Sequence, residues 1–429
     1  MIIGEGIEVP REQNKLLRLS TEELQKNYRL RTYHFREDGE GLVTAEGELI
    51  ATAFTGDLFG VAGNKVYVYN SETSMLRDTI SGVQYGPIQP PFQLFRYYDK
   101  EGKVQIYCLT PSKLCRFDQG VTTVVGECPG GKCAAVFHER VFIARGERLY
   151  YSKALDGSAW SQGRYGSGYL ELNTVETGKI LNIVPYRERL YLFRESGITS
   201  LRVLGDELNF KVEHLPMKCG SFSADSAAMC GEKIGYFTDY GFYLFNGAQS
   251  VLAENSRFDE IDHTKPIKAV GYRGRYYAAV THKGVGYAIY CYDPERRQAH
   301  FIECAASDVA SGDLMYFVRE GDAYVYFLTK SGTCQRFAPY LTAEKLAFGP
   351  GEEKMLRSIV IEGEGPFSVT ITSNRGSRTL RGKAWEILKL RSPLRGNGFD
   401  IKISVALKDA SSVRFQAIRL SLTEESNEN

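Results

Sequence analysis

An all-β chain that repeats one small sheet, with a second and different β domain behind it, is the fold this sequence predicts. Three observations carry that expectation. The 429 residues include 27 Tyr, 23 Phe and 43 Gly; aromatic residues favour strands and glycines supply tight turns. A strand–turn–strand unit recurs seven times at a mean spacing of about 45 residues, the length of one four-stranded propeller blade. Beyond residue 352 the strands lengthen and alternate with period two, the pattern of a sheet buried on one face.

Composition narrows the possibilities further. With 53 Lys+Arg against 52 Asp+Glu, the formal charge is +1, so no global field draws the chain to nucleic acid or an anionic membrane. Hydrophobic residues make up 43% and charged residues 24%, ordinary for a globular protein of roughly two or three domains. Met1-Ile2-Ile3 meets Gly4-Glu5 at once, so no secretory signal is expected. Apolar runs stop within about ten residues, half the length of a membrane-spanning helix.

Residues 1–50 are expected to form an N-terminal arm and lead-in strand. Ser20 or Thr21 precedes Glu22-Glu23-Leu24 as the cap of one short helix. Around it stand Arg11, Lys15, Arg18, Lys26, Arg29 and Arg31. So polar an arm is expected to add little to a core and to be free to dock on a partner.

Residues 51–340 are expected to form the propeller. Its hairpins read Leu58–Val61 with Val66–Tyr69, Val104–Leu109 with Leu114–Phe117, Val141–Ala144 with Leu149–Tyr151, and Leu190–Phe193 with Ile198–Leu201. They continue as Ile234–Phe237 with Phe242–Phe245, Tyr276–Val280 with Tyr287–Tyr290, and Tyr324–Phe327 with Cys334–Phe337. Turn markers fall at Gly63, Pro111, Gly146, Gly197, Gly241, Gly284 and Gly332. Seven blades follow; the uneven spacing also accommodates six or eight, and a pair of sandwiches is the rival architecture. Strands such as Leu190–Phe193 are apolar throughout, as packing between blades requires.

Phe348-Gly-Pro-Gly351 marks a linker. Residues 352–425 then form a C-terminal β-sandwich-like domain with strands at Arg357–Ile361, Phe367–Thr372, Trp385–Leu390, Phe399–Val405 and Ser412–Leu422. The nine cysteines (108, 115, 128, 133, 219, 230, 291, 304 and 334) are odd in number and include no Cys-x-x-Cys. They read as reduced, mostly buried thiols.

Motifs that could carry chemistry each have a plainer reading. Gly126-Glu-Cys-Pro-Gly-Gly131-Lys132-Cys133 has phosphate-loop spacing, but Cys133 replaces the hydroxyl that would hold magnesium and a strand follows where a helix is needed. Ser152-Lys-Ala-Leu-Asp156-Gly-Ser-Ala-Trp160 resembles the Asp-box of sialidases with the wrong Asp-to-Gly spacing, and that box is itself a structural turn. Asp259, Glu260, Asp262 and His263 form the densest acidic cluster but lack the spacing of a calcium loop; Ser256 and Asp259 suit the cap of a helical turn. His34, His138, His214, His282 and His300 stand apart from obvious partners. No catalytic, cofactor-binding or metal residue is assigned, no cofactor is expected, and the chain reads as no enzyme.

Four phrases between about 135 and 295 resemble a tail or head-to-tail propeller protein of double-stranded DNA bacteriophages and prophages. They are Arg148-Leu-Tyr-Tyr-Ser152 with Trp160-Ser161, Ile180 to Ile198, Cys219 to Phe245, and Phe258-Asp-Glu-Ile261 with Ala269 to Tyr277. The usual N-terminal opening of that family is not found here. The resemblance implies a non-enzymatic structural or assembly protein of a virion, made in the bacterial cytoplasm. Its partners would be other virion and tail proteins and further copies of itself, with no nucleic acid and no membrane. The alternatives are a carbohydrate-binding or glycoside-cleaving propeller that takes a surface glycan as a receptor-binding tail component, and a cytosolic propeller scaffold.

Overall fold

The computed structural model describes residues 14–424 apart from 28, 34, 40, 45–51, 56–57, 63–64, 92, 162–165, 173–176, 206–208, 216–222, 224, 255–256, 266, 273, 285, 306–314, 319–324, 330–334, 337–339 and 348–351. The turn markers Gly63 and Gly332, the linker 348–351, Ser256, His34 and most of the loop opening at Cys219 lie outside the described residues. Two compact units divide the chain: Gly47–Ala299 with Glu303–Arg336, and Met1–Glu46 with His300–Ile302 and Phe337–Asn429. Among the described residues no helix is long and apolar enough to cross a membrane.

The first unit is a seven-bladed β-propeller. Blades 1 to 6 span 58–85, 93–124, 133–171, 180–215, 228–254 and 268–305, each with four strands in sequence order. Blade 7 pairs Met315–Val318 with Val325–Thr329, and Thr52–Thr55, from ahead of blade 1, adds in parallel. At six of the seven junctions the first strands of neighbouring blades lie side by side, that of blade 7 beside that of blade 1, and blades 4 and 5 join through their side chains. Tyr186, Tyr191 and Phe193 of blade 4 meet Tyr236 and Phe245 of blade 5. The ring is therefore closed, and the strand from the N-terminal side completes its last sheet.

The predicted hairpins are the second and third strands of blades 2 to 6 and the first two of blade 1. In blade 7 only the first half of the predicted pair belongs there. Gln335–Arg336 pairs with Gln298–Ala305 instead, Cys304 facing Arg336. The apolar runs have the expected cause: in Arg189–Arg194 every residue but Arg189 is buried, because neighbouring blades cover both faces. One cluster joins Tyr67, Tyr69 and Leu76 of blade 1 to Cys108 and Phe117 of blade 2, and the next joins Tyr97 and Tyr107 of blade 2 to Val141 and Ile143 of blade 3.

The second unit is a β-sandwich. One sheet has the order Phe35–Asp38, Gly41–Thr44, Arg414–Glu424, Lys354–Glu364, Leu388–Gly396, and Asn14–Ser20 also pairs with Arg414–Glu424. Across from it run Arg29–Tyr33, Tyr340–Ala347, Gly398–Ser404, Pro366–Ser373 and Gly376–Lys383, in that order. Leu356, Ile359, Ile418 and Leu420 from the first sheet share one core with Leu341, Val369, Ile371, Ile401 and Ile403 from the second.

This corrects the reading of the N-terminal segment as an arm. Asn14–Ser20 runs antiparallel to Arg414–Glu424, from Asn14 facing Thr423 to Ser20 facing Ala417. Arg29–Tyr33 pairs with Tyr340–Ala347. The helix Thr21–Asn27 between them carries the chain from one sheet to the other, and Leu19 and Leu24 are buried in the shared core. Ser20 is its cap: the Ser20 amide donates to the Glu23 carboxylate at 2.7 Å, and the Glu23 amide donates to Ser20 Oγ at 3.3 Å, a capping box. The Ser20 amide and then the Ser20 hydroxyl, which donates to the same carboxylate at 3.0 Å, hold the Glu23 carboxyl below its usual range.

Candidate functional site

Each motif singled out above has a structural occupation. In the phosphate-loop look-alike the Gly131 amide donates to Thr110 O at 3.2 Å and the Lys132 amide to Ala144 O at 2.9 Å, so the amides that would cradle a phosphate are engaged. A Cβ on Gly130 would strike the Ser112 backbone, and one on Gly131 would strike Ala144 O. The two glycines are there because blades 2 and 3 approach closely. Cys133 is buried, which pushes its thiol well up. Around Asp156, the Ser158 amide donates to the carboxylate at 3.0 Å and Trp160 Nε1 donates to Gly157 O at 2.9 Å. Trp160 fills the core between blades 2 and 3.

The acidic cluster disperses. Glu260 turns inward to His282 Nε2 at 3.0 Å, both side chains buried. Asp262 accepts from Thr264 Oγ1 at 2.7 Å, and His263 stacks on Phe258 with ring centroids 3.8 Å apart. Among the described residues no group of three or more His, Cys, Asp or Glu could hold a metal ion. The turn 258–260 starts at Arg257, without a side-chain cap. His282, read from the sequence as isolated, has its partner 22 positions away.

Six described cysteines, 108, 115, 128, 133, 230 and 291, are free and buried. Burial raises Cys128 and Cys230 to about 12, so these thiols stay protonated. Two arginines are buried as architectural ties. Arg140 donates to Ser152 O and Gly166 O, each at 2.8 Å, and Arg194 Nε donates to Gly178 O at 2.8 Å.

The sandwich unit presents a cleft of about 700 Å³. Phe367 and Val405 supply its apolar lining, Arg381 and Lys383 two cations, and Glu386 and Asp409 two carboxylates. Strand pairing places these groups: Ser368 faces both Arg381 and Ser404 in register, so three neighbouring strands contribute to one row. Glu386 is held by its own turn, accepting from the Lys383 amide at 2.9 Å. The same turn projects Trp385, 55% exposed, and Ile387, 62% exposed. Trp385 sits at φ 65°, a left-handed backbone that is costly for a bulky side chain. Its amide donates to Ile361 O at 2.7 Å, which fixes the turn.

Behind the tryptophan lies a charged relay. The Arg419 guanidinium stands 5.8 Å from the Trp385 ring centroid and bonds the Glu362 carboxylate. Arg18 Nη2 donates to the same carboxylate at 2.8 Å. The Arg18 bond first, and then that of Arg419, hold the buried Glu362 carboxyl below its usual range. Sequence reading missed this site. It placed Trp385 at the start of a strand, where the structure has a turn before Leu388–Gly396.

The closed ring of seven sheets defines the chain as a β-propeller protein with a β-sandwich unit. No family model and no curated protein sequence matches it. Solved structures similar to it include an exo-β-1,3-galactanase from Phanerochaete chrysosporium, at 10% identity over 86% of this chain and 96% of that chain with a TM-score of 0.29. The extracellular domain of a hybrid two-component system from B. thetaiotaomicron is 12% identical over 85% of this chain and 50% of that chain, with a TM-score of 0.47. The dihydro-heme d1 dehydrogenase NirN is 11% identical over 80% and 77%, with a TM-score of 0.39. The assignment of the fold rests on the chain's own strand pairing.

Proposed function

We propose that the chain is a non-enzymatic binding protein whose sandwich unit holds a carbohydrate chain at the cleft beside Trp385. One observation carries this reading: a half-exposed tryptophan is held outward, in a strained and hydrogen-bonded turn whose next residue, Glu386, lines a cleft with both donors and acceptors. An aromatic face stacks on the C–H face of a sugar ring, and the carboxylates of Glu386 and Asp409 accept from ring hydroxyls while Arg381 and Lys383 donate. The test uses the protein's own reporter. Trp160 is buried and Trp385 exposed, so a sugar stacked on the exposed ring shifts the tryptophan emission of the intact chain. Trp385→Ala keeps the fold, with a stability change within about 0.5 kcal/mol as for an exposed site, and loses binding on a glycan array. Unchanged glycan binding by that variant, or an array with no bound glycan, overturns the reading.

A second reading, assembly into a phage or phage-like particle, is favoured by the four sequence phrases between 135 and 295. In that case Trp385 and Ile387 supply a protein contact, since tryptophan anchors concentrate binding energy at interfaces. The mass-spectrometric protein list of particles purified from the source strain after prophage induction decides it: the chain is present as a stoichiometric component, or the assembly reading fails.

A further inference from the structure

We propose that the ligand of this surface is an acidic polysaccharide, bearing carboxylate or sulfate groups, gripped by the basic edge of the sandwich. The proposal rests on the carbohydrate reading above and adds the charge of the ligand. Residues 375–395 hold seven cations, Arg375, Arg378, Arg381, Lys383, Lys389, Arg391 and Arg395, against the single acid Glu386. That stretch carries +6 in a chain of net +1, which leaves −5 for everything else. All seven side chains are exposed.

Their strands meet at one edge of the unit, with Arg381 and Lys383 on the outer face of one sheet and Lys389 and Arg391 on that of the other, opposite core-facing Leu380 and Leu388. Gly376–Lys383 ends one sheet and Leu388–Gly396 ends the other, and the two edge strands lie against each other. At about 3.3 Å per residue, Arg375 and Arg381 mark out a strip roughly 20 Å long. Arg375 is paired with Glu353 at 2.7 Å. Arg381, Lys389 and Arg391 have no carboxylate partner among the described residues, so their charge is available. On the same pair of strands as Arg381 runs a row of hydroxyls, with Thr370 and Thr379 Oγ1 atoms 2.9 Å apart and Thr372 Oγ1 3.1 Å from Ser377 Oγ. Arg381 and Lys383 belong both to the strip and to the cleft.

Charges on an edge strand also discourage sheet-to-sheet aggregation. One or two per edge suffice for that, whereas here six occupy two adjoining edges and Arg375 stands in the turn before them, while the rest of the chain is net acidic. Arginine forks suit planar or tetrahedral oxyanions. An acidic glycan fits the strip better than a nucleic acid because single-stranded nucleic acid is held on successive aromatic platforms, and this strip has one exposed aromatic, Trp385.

The experiment titrates the full chain with polygalacturonate, dextran sulfate, unsubstituted dextran and a 20-nucleotide oligo(dT), at low and high NaCl. Both acidic polymers are expected to bind at least about tenfold more tightly than dextran and to lose about tenfold between 50 and 500 mM salt, because solvated charge pairs are screened. The triple variant Arg381→Glu/Lys389→Glu/Arg391→Glu is expected to lose the acidic polymers, while Lys100→Glu, an exposed propeller cation, leaves them bound. Equal, salt-insensitive binding of dextran and the acidic polymers overturns this inference and leaves the carbohydrate reading standing. Tighter binding of oligo(dT) than of either acidic polymer overturns it in favour of nucleic acid. Binding of none of the four overturns this inference and leaves the carbohydrate reading to the glycan array.

Discussion

Leu24 is the sharpest test of the sandwich as a unit made from both ends of the chain. It sits on the seven-residue helix that crosses between the sheets, 1% exposed, with Leu19 at 4% beside it in the core. Truncating a buried leucine to alanine costs about 2–5 kcal/mol through lost transfer energy and a residual cavity. Removing residues 1–33 is worse. It exposes two leucines' worth of core, about 3–6 kcal/mol, and deletes the charged bonds of Arg18 to Glu362, about 1.5–3 kcal/mol. The total rivals the 5–15 kcal/mol that holds a typical domain together. Urea unfolding followed by hydrogen exchange should therefore show Leu24→Ala lowering the midpoint for the amides of 354–424. The 1–33 deletion should leave those amides unprotected. Either a Leu24→Ala change below about 0.5 kcal/mol or protected 354–424 amides in the deletion would refute the reasoning.

Other outcomes follow from the same geometry. Glu362→Gln should cost about 1–3 kcal/mol at neutral pH. Because the folded carboxyl titrates below its unfolded value near 4.3, its contribution is present above that pH and fades as pH falls through the folded pKa; the gap between wild type and variant, measured by denaturation from pH 7 down to pH 3, should close at the acid end. Gly131→Ala should destabilise by about 1–3 kcal/mol by overpacking the junction of blades 2 and 3, whereas Lys132→Ala should be neutral and ATP should not shift the melting temperature of either; an ATP shift that depends on Lys132 would restore the phosphate-loop reading. Arg140→Ala should cost about 2–4 kcal/mol in thermal unfolding, since it strands the carbonyls of Ser152 and Gly166.

Local pattern was enough to read the propeller. Its blades are built from strands close in sequence, so the hairpins at 104–117, 141–151, 190–201 and 234–245 showed as apolar runs around tight turns and stand in the structure within a residue or two. The helix cap was legible as Ser20 or Thr21, because capping is local, and the structure assigns it to Ser20 with Glu23 completing a box. Tertiary structure decided what depended on distant segments. The pairing of Asn14–Ser20 with Arg414–Glu424 leaves no local trace, since a polar edge segment looks the same whether it is free or laddered. Gly376–Lys383 escaped notice because an exposed edge strand has little need of apolar alternation. That omission hid the site as well: Arg381, Trp385, Glu362 and Arg18 are scattered over more than 360 positions of sequence, and only the folding of the two sheets onto one core brings the cleft, the tryptophan and the charges behind it to one place.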